Sequence, residues 1–205
     1  LGATHSVKTG EKLELVCTVF AAPTASIIWL HNGKEVQVHE VNKCSWSLDF
    51  AHSLALSMFE SRLVRECASA EDAGEYSCIA MSPCAKAIKQ STKVTMAAGK
   101  AAACSPQPSI ALHTYSRMEL PTVPVQLVCR SSHPLAGVRW ERVAEDDSTS
   151  PIEFASSGFL QLPSGDLIVD AQTLAAQDGG ELVDVTMRCF VGDAFVDSSI
   201  IYLNE

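Results

Sequence analysis

The sequence predicts an all-β chain folded as two tandem antiparallel β-sandwiches. Three observations predict it. One pattern occurs twice: Cys17, Trp29 and Cys78, then Cys129, Trp140 and Cys189, with cysteine gaps of 61 and 60 residues. Apolar and polar residues alternate with period two in short runs separated by turns, the mark of half-buried strands. The 205 residues, 47% of them hydrophobic, leave room for two domains of about 100 residues, each with its own core.

The spacing is that of an immunoglobulin-like sandwich of the I-set type. In that fold a disulfide joins strands B and F across two sheets, and a tryptophan of strand C packs against it. The two copies divide the chain into a first domain over residues 1–98, a linker over 99–108 that carries Cys104, and a second domain over 109–205. In the first domain, Lys12 to Phe20 alternates with Cys17 facing inward and predicts strand B. Ser26 to Leu30 predicts strand C, closed by a turn at His31-Asn32-Gly33, and Glu35 to Val41 predicts C′. The apolar stretch His52 to Phe59 predicts strand D, and Arg62 to Glu66 strand E. The string Asp72-Ala73-Gly74-Glu75-Tyr76-Ser77-Cys78 puts a tyrosine two residues before the second cysteine, the position of a tyrosine corner. Ala85 to Met96 supplies strand G.

The second half repeats the scheme. Val125 to Arg130 predicts strand B, Gly137 to Arg142 strand C, and Leu160 to Val169 strands D and E across a Pro-Ser-Gly-Asp turn. Cys189 lies on strand F, Gly192-Asp193-Ala194 makes the F–G turn, and strand G runs to the end. Two features depart from the first copy. Met187 occupies the tyrosine-corner position, and Asp178-Gly179-Gly180 falls about five residues early, so a longer E–F connection is expected.

Eight cysteines at sandwich spacing point to an oxidising, extracellular compartment. Each B–F bridge closes a loop of roughly 60 residues, worth about 4 kcal/mol in the chain-entropy account. Cys44, Cys67, Cys84 and Cys104 remain, with three possible pairings. Sandwich topology places Cys67 and Cys104 at one end of the first domain and Cys44 and Cys84 at the other, which predicts Cys67–Cys104 and Cys44–Cys84. A metal site is the alternative, but no Cys-x-x-Cys pair occurs and no histidine is near in sequence, so zinc is not expected. No cofactor is predicted.

Net charge is −9 and is uneven: residues 1–100 hold ten basic and ten acidic side chains, whereas residues 101–205 hold five arginines, no lysine and fourteen acids. Such a surface argues against nucleic acid and anionic lipid, which need a basic face. It suits either a basic partner or plain solvation. No apolar run reaches the 18–20 residues of a membrane span. With no leader at Leu1, the simplest account is a mature secreted chain, although a trimmed ectodomain would read the same.

Catalytic signatures are missing: no Gly-rich phosphate loop, nucleophile elbow or zinc-protease helix motif. His5, His31, His39, His52, His113 and His133 are scattered and read as surface or loop residues. Asp72 reads as a structural E–F turn residue, and Asp146-Asp147 as a loop charge pair. The chain is therefore not expected to be an enzyme, and its function is binding of a protein or peptide. Leu54, Leu56 and Met58 fall on one face at period two, with Phe59 on the other. One face can fill the core, and a leftover apolar strip would suit a partner. The F–G loop from Met81 to Lys86 is a second candidate. Tyr115, Met118 and Leu120 at the domain junction are the third.

Several segments carry a family resemblance: CASAEDAGEYSC from Cys67 to Cys78, the linker cysteine Cys104, SRMEL from Ser116 to Leu120 ahead of LVCR, SGDLIV, and the tail YLNE. With these the chain resembles the secreted two-immunoglobulin proteins of nematodes called zwei-Ig proteins. It is also similar to the insect two-immunoglobulin late imaginal morphogenesis protein, which binds insulin-like peptides. The resemblance implies secretion. From the insect relative it implies binding of insulin-like peptides and modulation of insulin-receptor signalling. From the nematode family it implies the alternative, a neural adhesion or guidance cue that binds cell-surface immunoglobulin receptors and maintains axon position. The absent second tyrosine corner and the Cys44/Cys84 pair depart from that pattern.

Overall fold

A computed structural model describes residues 4–22, 25–41, 53–82, 85–99, 107–154, 158–177 and 184–203. The chain divides into two compact units. The first is Leu1–Val19, Thr24–Asn42 and Ser61–Gln107; the second is Phe20–Pro23, Lys43–Glu60 and Pro108–Glu205. Both are immunoglobulin-like β-sandwiches.

In the first unit, five strands form a sheet in the order β1 (Thr4–Lys8), β7 (Ala85–Ala97), β6 (Gly74–Ser82), β3 (Ser26–His31), β4 (Lys34–Glu40). The opposing layer holds β2 (Leu13–Ala21) beside the C-terminal half of β5 (Leu56–Arg65). Strand β2 alternates strictly, with Leu13, Leu15, Cys17 and Val19 buried. Cys17 is bonded to Cys78 of β6 across the layers. Trp29 is fully buried, and its indole N–H donates to Ser61 Oγ at 2.9 Å. The corner predicted at Tyr76 is present: its hydroxyl donates to the Asp72 carbonyl at 3.0 Å. Asp72 does the turn work expected of it, because its carboxylate accepts from Ser69 N at 2.8 Å and closes a capping box over a 3-10 turn, Ala70–Asp72. Gly74 is obligatory here. Its φ is +141°, and a Cβ would lie 2.2 Å from Asn32 Oδ1, the atom that accepts from Glu75 N.

One expectation is corrected. The segments predicted as separate strands D and E form the single strand β5. Glu60 and Ser61 bring no Gly, Pro, Asn or Asp, and period two runs unbroken: Ser57, Phe59, Ser61 and Leu63 are buried, while the intervening side chains are not. His52 lies outside the described residues.

In the second unit one sheet has the order β12 (Thr149–Pro151), β11 (Val138–Val143), β15 (Val185–Val191), β16 (Ala194–Tyr202), β8 (Ile110–Glu119), followed by the residue 56–60 portion of β5; β10 (Cys129–Ser131) also pairs with β8. The other sheet is β13 (Phe159–Gln161), β14 (Leu167–Val169), β9 (Val125–Leu127). The strand predicted over Val125 to Arg130 is thus two strands interrupted at Val128. Cys129–Cys189 bridges a core of Leu127, Trp140, Leu167, Val169, Met187 and Ile200. Trp140 donates to the Gly165 carbonyl at 2.7 Å. Gly165 holds φ +94° with Val138 side-chain atoms within about 3 Å of where a Cβ would sit, so the Pro-Ser-Gly-Asp turn both reverses the chain and satisfies the tryptophan. Met187 fills the core where a corner tyrosine would stand. The E–F connection carries a helix, α1 (Ala171–Gln177); Asp178-Gly179-Gly180 lies outside the described residues.

Candidate functional site

In the second unit two of the predicted contact residues, Leu54 and Leu120, donate backbone amides to one buried carboxylate. Glu119, at the end of β8, is fully buried. It accepts from Ser53 Oγ at 2.8 Å, Leu54 N at 2.8 Å, Ala55 N at 3.1 Å, Leu120 N at 3.0 Å and Arg117 Nη2 at 2.7 Å. Arg117 Nη1 in turn donates to Ser57 Oγ at 2.9 Å. Burial pushes the Glu119 carboxyl up, but the hydrogen bonds from Ser53, Leu120, Arg117 and Leu54 outweigh it and hold the group below the usual glutamate value. Ala55 is held at φ +48°, the left-handed region that a non-glycine residue seldom enters. The clamp thus sets the backbone of Ser53–Ser57.

Past the clamp, the alternation of β5 decides which side chains face out. Leu54 and Leu56 are 42% and 41% exposed, Met58 is half-buried, and Phe59 is in the core at 2%. Tyr115 on β8 is 50% exposed. Met118 is half-buried and paired in register with Ile201 of β16; Leu120 is half-buried just past the strand.

Sequence reasoning missed the Glu119–Arg117 pair, though both lie in the SRMEL segment; charged residues on a strand read by default as solvated. The outer face of the same sheet was missed as well. Its in-register rows are Arg139–Phe190–Phe195, Glu141–Arg188–Asp197 and Val143–Thr186–Ser199–Ser116. Phe190 and Phe195 pack at 5.8 Å between centroids, with the Arg139 guanidinium 4.0 Å over Phe190 and that of Arg188 4.7 Å over Phe195. Arg188 also donates to Asp197 at 2.7 Å and to Asp147 at 2.7 Å, which raises its pKa. Arg139 pairs with Glu141. The alternation of MRCFV and AFVDSSI held the signal, but only register brings the two phenylalanines together. Exposed aromatics backed by arginine are typical of protein contacts.

Other candidates stand apart. Met81 is 39% exposed; Cys84, Cys44 and Cys104 lie outside the described residues, while Cys67 is disulfide-bonded. Of the histidines read as surface or loop residues, His113 is corrected: it is 2% exposed on β8, with Nε2 3.8 Å from Glu60. His31 is half-buried and stacked on Tyr76 at 4.3 Å. Among the described residues no group of three His, Cys, Asp or Glu could hold a metal, and no helix is long and apolar enough to cross a membrane. A concavity of about 470 Å³ between His133–Val138 and Gln161–Gly165 contains Arg130, but that guanidinium is committed to Asp166 at 2.9 Å.

Residues 2–82 match the immunoglobulin domain family. The chain is 29% identical over 171 residues to Zwei Ig domain protein zig-3 of Caenorhabditis elegans, covering 80% of this chain and 65% of that one. It is 30% identical over 166 residues to zig-4 of the same organism, covering 78% and 62%. It therefore spans just under two thirds of these relatives. The crystal structure of neural ectodermal development factor IMP-L2 superposes with a TM-score of 0.62 at 15% identity, covering 98% of this chain and 89% of that one. Residues 2–82 thus carry an immunoglobulin domain, and over about four fifths of its length the chain is similar in sequence to the zwei-Ig proteins.

Proposed function

We propose that this protein is secreted and binds insulin-like peptides, modulating insulin-receptor signalling. The observation that carries the reading is the clamp: three hydrogen bonds to buried Glu119, from Ser53 Oγ, Leu54 N and Ala55 N, fix the backbone that leads into β5 and presents exposed Leu54 and Leu56. A small helical hormone with an apolar receptor-binding face needs an apolar surface that is ordered before contact, because pre-organisation removes the entropy cost of ordering a loop. The resemblance to the insect late imaginal morphogenesis protein supports the choice of ligand. The disulfides Cys17–Cys78 and Cys129–Cys189 suit an extracellular setting. Calorimetric titration of the intact chain with insulin-like peptides is the test. Micromolar or tighter binding is expected, weakened about tenfold or more by Leu56→Asp, since burying an unpaired carboxylate is costly. No heat with any peptide of the class defeats the reading.

The Arg139–Phe190–Phe195 face favours a second reading, a neural cue that binds a cell-surface immunoglobulin receptor and helps maintain axon position. It predicts neuronal surface staining without hormone that Phe195→Ala abolishes. Staining that persists in that variant rejects it.

A further inference from the structure

We infer that the outer face of the β7-β6-β3-β4 sheet in the first unit is a docking surface for a second copy of this chain. The registers place its outward side chains in three rows. They are Glu40–Ser26–Met81, Val38–Ile28–Ile79–Lys89, and Glu35–Leu30–Ser77–Ser91. The centre is aliphatic. Val38 and Met81 are 41% and 39% exposed, and Ile28, Leu30 and Ile79 are half-buried. A solvated antiparallel sheet face ordinarily carries polar residues at such positions.

Charge identifies the occupant. Exposed acids, Glu35 and Glu40, lie along β4, and exposed lysines, Lys89 and Lys93, lie along β7 at the other side of the face, with Glu75 of β6 beside them and 3.9 Å from Lys89 in the same copy. A two-fold axis parallel to the strands, between β3 and β6, lays β4 of one copy over β7 of the other. Lys89 then sits over the partner's row between Glu35 and Glu40, about 7 Å along the strand from each, within reach of a lysine side chain. Lys93 lies beside Glu35, and Ile28 meets Ile79. The alternative axis, across the strands, lays lysine edge on lysine edge and acid edge on acid edge. The face is thus self-complementary in one orientation, as an isologous contact requires. Four strands and three rows span about 19 by 20 Å, so roughly 800 Å² is covered over both copies, below the 1,200 Å² of standard interfaces. The dimer is therefore weak and concentration-dependent.

Sedimentation equilibrium of the intact chain tests this. Wild type is expected to shift from monomer to dimer between about 10 µM and 1 mM, and Val38→Asp to weaken the dimer at least tenfold. Lys89→Glu/Lys93→Glu and Glu35→Lys/Glu40→Lys are each expected to be monomeric, since like charges face each other. Mixed one to one, the two variants are expected to form a heterodimer, because each basic edge then meets an acidic one. All these side chains are exposed, and a melting curve confirms folding. A monomer throughout the range, a dimer indifferent to Val38→Asp, or variants that fail to rescue each other overturns the inference.

Discussion

Replacing Glu119 with alanine tests the clamp directly. The substitution strips five donors of their acceptor. Leu54 N and Ala55 N become orphaned in a place where water has limited access, at about 1–3 kcal/mol each. Arg117, 12% exposed, keeps only Ser57 Oγ among these partners, and breaking a buried ion pair costs about 3–5 kcal/mol. These penalties share atoms, so they do not sum; about 3–5 kcal/mol is expected for the second unit. At about 4–8 °C per kcal/mol for a domain of this size, its melting point falls by at least 12 °C or so. Hydrogen exchange reads the local effect: the Leu54 and Ala55 amides lose protection while β6 of the first unit keeps it. The effect is also linked to pH. The folded carboxyl titrates below its ordinary value of 4.5, so its stabilisation is complete above about 4.5 and is lost as pH falls through the lower folded value. A Glu119→Ala chain within 1 kcal/mol of wild type at pH 7, with both amides still protected, refutes the reasoning.

Tyr76→Phe removes the bond to the Asp72 carbonyl and is expected to cost about 0.5–1.5 kcal/mol, confined to the first unit in a urea melt. Asp166 is buried, and burial raises its pKa while Arg130 lowers it. Arg130→Met should therefore destabilise the second unit at pH 7 and less so near pH 4, where the stranded carboxyl protonates; a pH-independent loss argues against this. Peptide mapping of unreduced protein is expected to recover Cys67–Cys104 and Cys44–Cys84, and either alternative pairing would reject the topological argument.

Much of the core was legible because its signals are local. Cysteine and tryptophan spacing, period-two alternation and the Asp72–Cys78 string each act over a few residues or a fixed loop, and the strands around Cys17, Trp29, Trp140 and Cys189 stand where they were expected. The partition of Phe59 inward and Leu56 outward follows from the same alternation. Strand ends were less legible. The merging of D and E depends on what Glu60 and Ser61 lack, and on Ser61 Oγ accepting from Trp29, a partner 32 residues away.

Sequence alone determined that two disulfide-bridged sandwiches lie in tandem and that no catalytic motif accompanies them, because covalent bridges and β periodicity are written in order along the chain. Tertiary structure decided what each polar group answers to. Trp29 finds a serine hydroxyl and Trp140 a glycine carbonyl. Glu119, which reads as one more surface acid, is desolvated and organises residues more than 60 positions away. The rows that join Phe190 to Phe195, or Val38 to Lys89 through Ile28 and Ile79, exist only once strand register is set. Register arises from the packing of whole sheets, so no local pattern could announce it.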